Sequence, residues 1–409
     1  MASLQIVLEG CLAFLAAIFA ILALHPLFTY PFSLSFARDR TQKVALPADA
    51  PRPTLAICMC AYNEAQVITA KMDRLLEIAR LYGPATVHVY ADAPSDGTTA
   101  ILQGYADRAD IVVGSERAGK TFGMNLLVSR SSSEMLLFTD ANVESEPDVA
   151  IQLLEALADP AVGCATARLV YSNSSESPTS ALGSLYWSIE EAIKRIESRS
   201  VGLVGCDGAM FMMRRSLHIA PSPDLIDDLY LSLSILISGQ RIVSVEHVKV
   251  FERSATGATE EKRRKQRIAC QAWNVHRALW PRLRKLPMLS LYAYISHRPI
   301  KWLMPFFVAA MVLCLLLIVG VQFGAVAMLA AAGALAASFA IGGIAPIPPF
   351  SLLHSATLSL YGVAVGFFES WWMGKTYTIW QPAMTVRSMD PSPAPSEPPQ
   401  DDRSGGGHG

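Results

Sequence analysis

Charged side chains are scarce in this chain of 409 residues, where Asp, Glu, Lys and Arg together make up 17%. A soluble domain carries about 25% charged residues, so apolar residues must be concentrated in part of the chain. The 34 basic residues almost balance the 35 acidic ones, which argues against a nucleic-acid binder that relies on bulk electrostatic attraction. This composition is typical of a membrane protein with one sizeable water-soluble domain.

Cysteine, glycine and proline are also too few, or too scattered, for several classes of protein. The 7 cysteines lie in apolar stretches and include no C-x-x-C pair, so we expect reduced core thiols instead of zinc ligands or disulfides. With 26 glycines and 25 prolines, the chain does not have a collagen-like composition.

The first long apolar run lies near the N-terminus. No Asp, Glu, Lys or Arg occurs from Gly10 to Phe36, a length that is sufficient for one membrane span. Arg38, Arg40 and Lys43 follow the run, and by the positive-inside rule they place its C-terminal end in the cytoplasm. A cleaved signal peptide is the alternative, but no basic residue precedes the run. We therefore expect a membrane anchor.

A second charge-free block covers residues 302–368 and is long enough for two or three spans. Basic residues without any acid fill the preceding segment, 262–301, so this flank should also face the cytoplasm. Three spans would place Lys375 outside the cell. Two spans followed by an interfacial segment at 351–372 would keep it inside, and the sequence leaves both arrangements open.

Between the two apolar blocks, short apolar runs alternate with helical patterns, which is typical of an α/β sheet. The predicted strands are Thr54–Cys60, Thr86–Ala91, Asp110–Val113, Met135–Thr139, Val162–Val170 and Arg241–Val245. The predicted organisation is an N-terminal anchor (1–36), a linker (37–52), a cytoplasmic α/β domain (53–255), a basic juxtamembrane segment (256–301), a membrane block (302–372), a juxtamembrane tail (373–390) and a disordered tail (391–409).

Polar residues gather after these strands, where open α/β sheets bind ligands. The motifs are Ala61-Tyr62-Asn63-Glu64, then Asp92 with Ser95–Thr98, then Glu116–Lys120 with Asn125, and finally Asp140-Ala141-Asn142. Each alone has an ordinary explanation, such as a helix N-cap at Asn63 or a turn at Asp96-Gly97. Together, and each at a strand end, they favour a binding site.

In this order the motifs resemble those of the membrane-bound family 2 glycosyltransferases with a GT-A fold, the group that contains cellulose, chitin and hyaluronan synthases. The resemblance runs from about residue 52 to residue 382 and implies a Rossmann-like GT-A domain flanked by transmembrane helices. The resemblance assigns the donor nucleotide-sugar to Tyr62, Glu64, Asp92, Lys120 and Asp140, with Asp92 similar to the aspartate that reads uracil.

Asp140-Ala141-Asn142 is similar to the D-x-D metal motif of that family, with Asn at the third position. A hard divalent cation, Mg²⁺ or Mn²⁺, would neutralise the leaving diphosphate. Asp140 can bind such a cation directly, whereas Asn142 offers only a neutral carbonyl oxygen. Lys120 can add a point charge on the diphosphate.

Two further motifs resemble the acceptor side and the catalytic base of the family. Gly205-Cys206-Asp207-Gly208-Ala209 is similar to its acceptor segment, which assigns Asp207 and Gly208 to the acceptor. Asp227-Asp228 aligns with its E-D-x-x-L motif, which makes Asp228 the base that deprotonates the acceptor hydroxyl. Adjacent carboxylates raise each other's pKa, which suits this role. The alternative is an acid-rich helix N-terminus.

The nearest match to the Q/R-x-x-R-W motif of the synthases keeps both arginines, Arg264 and Arg267, and lacks the tryptophan. By resemblance these arginines lie beside the donor diphosphate, although they could instead only mark the membrane edge. Trp273 lies too far round a helix to replace the missing ring. This departure weakens the case for processive chain extension.

The sequence thus predicts a multi-pass enzyme of the inner (plasma) membrane, an inverting glycosyltransferase that moves a sugar from a UDP-sugar to a cell-surface polysaccharide or oligosaccharide. A membrane lipid is the alternative acceptor, and a non-catalytic sugar-nucleotide-binding scaffold is the alternative outside enzymes. Expected partners are the donor, the acceptor, membrane lipids and, for export, a second subunit or a homodimer, without nucleic acid.

Overall fold

The computed structural model describes residues 2–42, 51–172, 178–253, 257–345 and 347–379. Parts of the predicted linker and juxtamembrane tail, and the whole predicted disordered tail, lie outside these residues. The chain begins with two helices, α1 (Ala2–Leu24) and α2 (Thr29–Leu34).

The next two hundred residues or so alternate strands with helices and form the predicted α/β domain. Its elements are β1 (Leu55–Ala61), α3 (Ile68–Tyr82), β2 (Ala85–Ala91), α4 (Thr98–Gln103), β3 (Asp110–Val113), α5 (Lys120–Arg130), β4 (Met135–Asp140), β5 (Glu144–Ser145), α6 (Val149–Ala156), β6 (Val162–Tyr171), α7 (Pro178–Arg199), β7 (Met210–Arg214), α8 (Asp227–Ile237) and β8 (Arg241–Glu252). The strands form one 8-stranded sheet in the order β3-β2-β1-β4-β7-β6-β8-β5. Strand β1 is parallel to β2 and β4, whereas β7 is antiparallel to both of its neighbours.

Strand β1 is apolar on both faces because helices cover both sides of the sheet, as is usual for parallel strands. Leu55, Ile57 and Met59 belong to the core cluster that contains the apolar face of α3. The alternate residues Ala56 and Cys58 belong to a second cluster with α5. The sheet is therefore held between two helical layers, and the loops at its edge are left to form a cleft.

The strand boundaries agree closely with the prediction except at β8. The sequence predicts an end at Val245, where the apolar alternation stops, but β8 continues to Glu252. Val245 pairs with Ala167, and the next pairing joins Lys249 to Arg168, so the strand passes an irregularity and then resumes. The strands β5 and β7 are also absent from the prediction.

The C-terminal part of the described chain is helical. It contains α9 (Ala258–Leu283), α10 (Met288–His297), α11 (Pro299–Trp302), α12 (Met304–Phe323), α13 (Ala325–Ile344) and α14 (Phe350–Trp371). Of the helices in the described residues, 4 are long and apolar enough to cross a membrane: α1, α12, α13 and α14. The prediction of transmembrane helices is confirmed.

Helix α14 packs along α9, which carries the predicted arginine motif. A Cβ atom at Gly362 would lie 2.5 Å from the carbonyl oxygen of Lys262, and one at Gly366 would lie 2.2 Å from that of Gln266. Small residues at this spacing allow close helix approach. The chain after α14 continues along α9, where Lys375 accepts a hydrogen bond from Asn274 (2.9 Å). Lys375 therefore lies on the side of the α/β domain.

A buried polar cluster joins three short helices next to the apolar ones to the α/β domain. The ring of His297 is fully buried, with Nδ1 2.6 Å from Glu197 Oε1 and Nε2 2.9 Å from Glu190 Oε1. Tyr30 donates a hydrogen bond to Glu197 (2.6 Å), and Lys301 pairs with Glu190 (2.6 Å). These contacts tie α2, α10 and α11 to α7.

Candidate active site

The predicted motifs meet at one edge of the sheet because β1, β2 and β4 are parallel neighbours. The amide of Asp92, just after β2, donates to the carbonyl of Ala61 at the end of β1 (2.9 Å). Asp140, the last residue of β4, pairs with Cys60 of β1. The structure therefore brings the first, second and fourth motifs together at the carboxyl ends of these strands.

At one end of this cleft, Asp92 organises the loop that leads into α5. Its Oδ1 accepts from the amide of Ala118 (2.7 Å), and its Oδ2 lies 2.8 Å from Nε of Arg117. The guanidinium of Arg117 also lies over the ring of Tyr62, 3.2 Å from its centre. A flat cation thus stacks on Tyr62 and pairs with Asp92, so Arg117 joins these two residues at the carboxyl ends of β1 and β2.

Asn63 and Glu64 connect the first motif to the second. Asn63 adopts a left-handed backbone conformation with φ 53°, which asparagine tolerates better than most residues. Its Oδ1 accepts from the amide of Ser95 (2.8 Å). The amide of the buried Glu64 donates to Thr98 Oγ1 (2.8 Å). These bonds fix the loop after β1 against the loop after β2.

Lys120 lies at the centre of an acidic cluster. Its Nζ is 2.7 Å from Asp140 Oδ1 and 3.5 Å from Asp227 Oδ2, although these aspartates are far apart in the chain. Burial opposes the lysine charge, but the charges of Asp140, Asp227 and Asp228 outweigh it and raise the pKa of Lys120 well above its ordinary value. The cluster therefore keeps a protonated lysine in the cleft.

Asp228 has an unusually high pKa for an aspartate. Burial, and then the charge of Asp227, raise it to about 7, while Lys120 acts in the opposite direction. Its Oδ1 accepts from the amide of Leu229 (2.5 Å) in the first turn of α8. Its Oδ2 lies 2.9 Å from the position that a Cβ atom would take at Gly208. Gly208 thus leaves room beside the carboxylate, and a side chain there would close it.

Asn142 contacts a carboxylate that the sequence analysis missed. Its Nδ2 donates to Oε1 of Glu252, the last residue of β8 (3.0 Å). Burial, together with the charge of Asp140, raises the pKa of Glu252 to about 7, although Arg264 opposes this. The predicted end of β8, Val245, lies seven residues before Glu252. The alternation of apolar and polar residues resumes at Val248-Lys249-Val250, and this pattern could have extended the predicted strand to Glu252.

The oxygen donors of Asp140 and Asn142 are of the type that Mg²⁺ and Mn²⁺ prefer, so these residues fit a hard cation. The buried Oδ2 of Asp227 has no hydrogen-bond partner in the described part of the chain, and negative charge there is incompletely compensated. Within that part, no three His, Cys, Asp or Glu side chains form a metal-binding group. The site therefore depends on few carboxylates.

A buried lysine supports the Asp140 turn from below. Nζ of Lys71 donates to Thr139 Oγ1 (3.0 Å) and to the carbonyl of Val143 (2.5 Å), on either side of the Asp140-Ala141-Asn142 motif. Burial lowers the pKa of Lys71 to about 7. The two bonds pin both ends of the turn that presents Asp140.

The two residues predicted for the acceptor differ in their surroundings. Gly208 borders the cleft between Asp228 and Lys120. Asp207 turns away, with Oδ2 2.7 Å from Nζ of Lys194, which also pairs with Glu191 (2.7 Å). Asp207 thus has a structural role in this buried network. Its contact with the acceptor stays a prediction.

The two arginines of α9 lie on the far side of the cleft. Burial, and then Arg264, lower the pKa of Arg267 to about 10, while the charges of Asp228 and Asp140 act against this. Arg267 donates a hydrogen bond to Gln271 (3.0 Å), whereas Arg264 lies 3.5 Å from Glu261 and near Glu252. Trp273 packs against Trp302 and Phe367 instead of the cleft, as its position in the helix predicts.

The segment after α14 reaches the start of α5. Tyr377 accepts a hydrogen bond at its carbonyl from Gln271 of α9 (2.8 Å). The next carbonyl, that of Thr378, would lie 2.1 Å from a Cβ atom at Gly119. Gly119 has φ 90°, a conformation that favours glycine, and it also permits this close approach. The end of the described chain therefore covers the loop that precedes Lys120.

Comparison with known proteins agrees with this geometry. Residues 56–220 match the family model described as glycosyl transferase family 2. This chain contains a family 2 glycosyltransferase domain. The predicted resemblance is confirmed, and the matched region includes β1, β2 and β4 with the Asp92, Lys120 and Asp140 loops.

Relatives of this glycosyltransferase domain include an N-acetylglucosaminyltransferase of Rhizobium leguminosarum bv. viciae, 23% identical over 208 residues that cover 47% of this chain and 49% of the relative. One from Mesorhizobium japonicum (strain LMG 29417 / CECT 9101 / MAFF 303099) is 28% identical over 181 residues, 42% of each chain. The chain thus spans about half the length of these relatives.

A solved structure extends the likeness to most of the chain. The mannosyltransferase PcManGT from Pyrobaculum calidifontis, in complex with GDP-Man and Mn²⁺, has a TM-score of 0.68 and 20% identity, and the match covers 90% of this chain and 100% of that one. At this identity the likeness shows the fold, a Rossmann-like GT-A domain with accompanying helices. The predicted fold class is confirmed.

Proposed function

We propose that this chain is a membrane-bound, metal-dependent and inverting glycosyltransferase that transfers a sugar from a UDP-sugar. The observation that carries this proposal is the convergence of Asp140, Asp227 and Lys120 within 3.5 Å, with Asp228 beside them. A non-catalytic scaffold that only binds a sugar nucleotide would not need a carboxylate with a pKa of about 7 next to a charged lysine. The relatives that are N-acetylglucosaminyltransferases favour N-acetylglucosamine as the sugar.

In the proposed reaction each residue has a distinct task. Tyr62 and Asp92 bind the nucleobase, with Glu64 supporting the loop, and Arg264 and Arg267 face the diphosphate. Asp140 and Asn142 would hold Mg²⁺ or Mn²⁺, which neutralises the leaving diphosphate; the Mn²⁺ bound to PcManGT supports this choice.

Asp228 takes the proton of the acceptor hydroxyl while that oxygen attacks the anomeric carbon. The free side of its carboxylate faces the space beside Gly208, 2.9 Å from the position of a Cβ atom there. Lys120, whose Nζ lies 2.7 Å from Oδ1 of Asp140, supplies positive charge to the departing diphosphate. The acceptor oxygen displaces the diphosphate in a single step with the help of one base. This inverts the anomeric configuration, so no covalent sugar intermediate is needed.

The acceptor is proposed to be a cell-surface polysaccharide or oligosaccharide, with a membrane lipid as the alternative. The four long apolar helices and the basic flanks support an enzyme of the inner membrane with a cytoplasmic α/β domain. Export of a polymer through so few helices would need a homodimer or a second subunit.

The test is donor turnover by the purified full chain. UDP-N-acetylglucosamine, UDP-glucose and GDP-mannose are supplied with Mn²⁺ or Mg²⁺, with and without membrane lipid extract, and release of the nucleoside diphosphate is measured. We expect release from a UDP-sugar that depends on the metal ion. Donor binding without release from any of these donors, in the presence of both lipid and oligosaccharide acceptors, would contradict the enzyme and favour the scaffold.

A further inference from the structure

The cation motif of this chain is short of one carboxylate. Asp140 contributes a charged oxygen, but Asn142 contributes only an amide at the position where D-x-D motifs carry an acid. Mg²⁺ and Mn²⁺ sites next to phosphates normally use one or two carboxylates of the protein, and a neutral amide oxygen binds them weakly. A second carboxylate would have to reach the same turn from another part of the chain.

Glu252 reaches this turn because the sheet brings the end of β8 to it. The two-residue strand β5 pairs antiparallel with β8, so that Glu144 lies opposite Phe251 and Ser145 opposite Val250. Asn142 precedes this ladder by two residues and Glu252 follows it by one. The pairing holds the two side chains together, and Nδ2 of Asn142 donates to Oε1 of Glu252 at 3.0 Å.

The direction of that hydrogen bond determines which atoms remain for a cation. A carboxylate can only accept, so the amide nitrogen of Asn142 must face Glu252 and its carbonyl oxygen must face away. The bond uses one oxygen of Glu252. Oδ1 of Asn142, the second carboxylate oxygen of Glu252 and the carboxylate of Asp140 then remain as oxygen donors at one turn.

A second observation concerns the charge balance beside Asp140, where two carboxylates share one lysine. Asp227 is 4% exposed, and its Oδ2 has no hydrogen-bond partner within the described residues. The nearest cation to it is Lys120, 3.5 Å away, which lies closer to Asp140 (2.7 Å). One lysine thus serves two carboxylates, and Oδ2 of Asp227 has an ion-pair contact at 3.5 Å but no hydrogen bond within the described residues.

We propose that Glu252 supplies the second carboxylate of the cation site, in place of the acid that D-x-D motifs carry at position 142. Asn142 then acts both as a neutral ligand and as the residue that orients Glu252. This inference rests on the proposed function, since it assumes a divalent cation at Asp140.

The test measures cation binding directly, without turnover. Purified full-length chain is titrated with Mn²⁺ in the presence of UDP, and free Mn²⁺ is followed by electron paramagnetic resonance. We expect Glu252→Gln to weaken Mn²⁺ binding by about tenfold or more. The double variant Glu252→Gln/Asn142→Asp returns the carboxylate to the other side chain and should recover most of that loss. Glu144→Gln, an exposed acid in the adjoining strand, is the matched control and should bind as the wild type does.

Asp140→Asn separates this inference from the proposed function. If Asp140→Asn also binds Mn²⁺ normally, the proposed metal site itself is wrong. If Asp140→Asn loses Mn²⁺ but Glu252→Gln keeps it, the function stands and the role of Glu252 is refuted. Loss in Glu252→Gln without recovery in the double variant, when both retain the thermal unfolding midpoint of the wild type, also refutes it.

Discussion

The pH dependence of sugar transfer should follow the protonation of Asp228. Burial and the charge of Asp227 raise its pKa to about 7, and only the deprotonated form can accept the proton of the acceptor. At pH 6 about one tenth of the molecules carry the charged base, and at pH 8 about nine tenths do. We therefore expect kcat/KM, which reports the protonation of the free enzyme, to rise about tenfold between these values and then to level off.

Replacing the base tests the same reasoning from another side. Asp228→Asn keeps the size of the side chain but cannot take a proton, so we expect transfer to fall by roughly 10²–10⁴-fold. Asp227→Asn removes the neighbouring charge, which should lower the pKa of Asp228 and move the midpoint of the pH profile to lower pH. Release of the nucleoside diphosphate at saturating donor, and donor binding on the same preparation, separate turnover from binding.

Two results would refute this argument. Turnover by Asp228→Asn at a rate near that of the wild type would remove Asp228 from its role. A wild-type profile that is flat from pH 6 to pH 8, or one whose midpoint Asp227→Asn leaves unchanged, would show that the pair does not set the pH dependence.

Three further variants test other parts of the structure. Gly208→Ala should reduce turnover about 10²-fold without changing the unfolding midpoint, because its Cβ atom would lie 2.9 Å from the base carboxylate. Burial lowers the pKa of Lys71 to about 7, so between pH 7 and pH 10 the unfolded chain binds more protons than the folded chain. The stability of the wild type should therefore rise over that range. In thermal unfolding, Lys71→Met should abolish this rise. His297→Ala leaves Glu190 and Glu197 without their shared partner and should cost about 3–5 kcal/mol in unfolding free energy measured in detergent.

The parallel part of the sheet could be predicted from the sequence because two local signals coincide there. Buried parallel strands are continuous apolar runs, and in β1, β2 and β4 each run is followed by polar residues. Asp92 and Asp140 mark the ends of two of these strands. Since parallel neighbours end at the same edge, the sequence also indicated that these residues share one site.

The other half of the sheet could not be predicted in the same way. Strand β8 contains Glu246 and His247 in succession, which breaks the apolar alternation, and the structure absorbs them where the pairing shifts between Ala167 and Arg168. The two-residue strand β5 has no periodicity of its own. Glu252 was missed for this reason, because its position depends on both features.

Contacts between segments that are distant in the chain could not be predicted from the sequence either. The motifs named Lys120 and Asp227 separately, but only the fold shows that Lys120 lies 2.7 Å from Asp140 and 3.5 Å from Asp227. The same applies to the buried ring of His297, which lies in the segment that the sequence analysis predicts to be basic and juxtamembrane. Such pairs are set by tertiary packing, which leaves no local pattern.

The charges of the acidic cluster act on the pKa of Lys120 and on that of Asp228 in the same direction. Crowded negative charge favours the protonated form of any neighbouring group, so it raises the pKa of Lys120 and that of Asp228 together. Positive charge that enters the cleft beside Asp140 reverses both effects, because it relieves the same repulsion. Asp228 then loses its proton more readily, and Lys120 is less firmly held by Asp140 and can turn toward a diphosphate. In the proposed reaction the base is thus more fully deprotonated once the donor side carries positive charge, which would link donor binding to the transfer step.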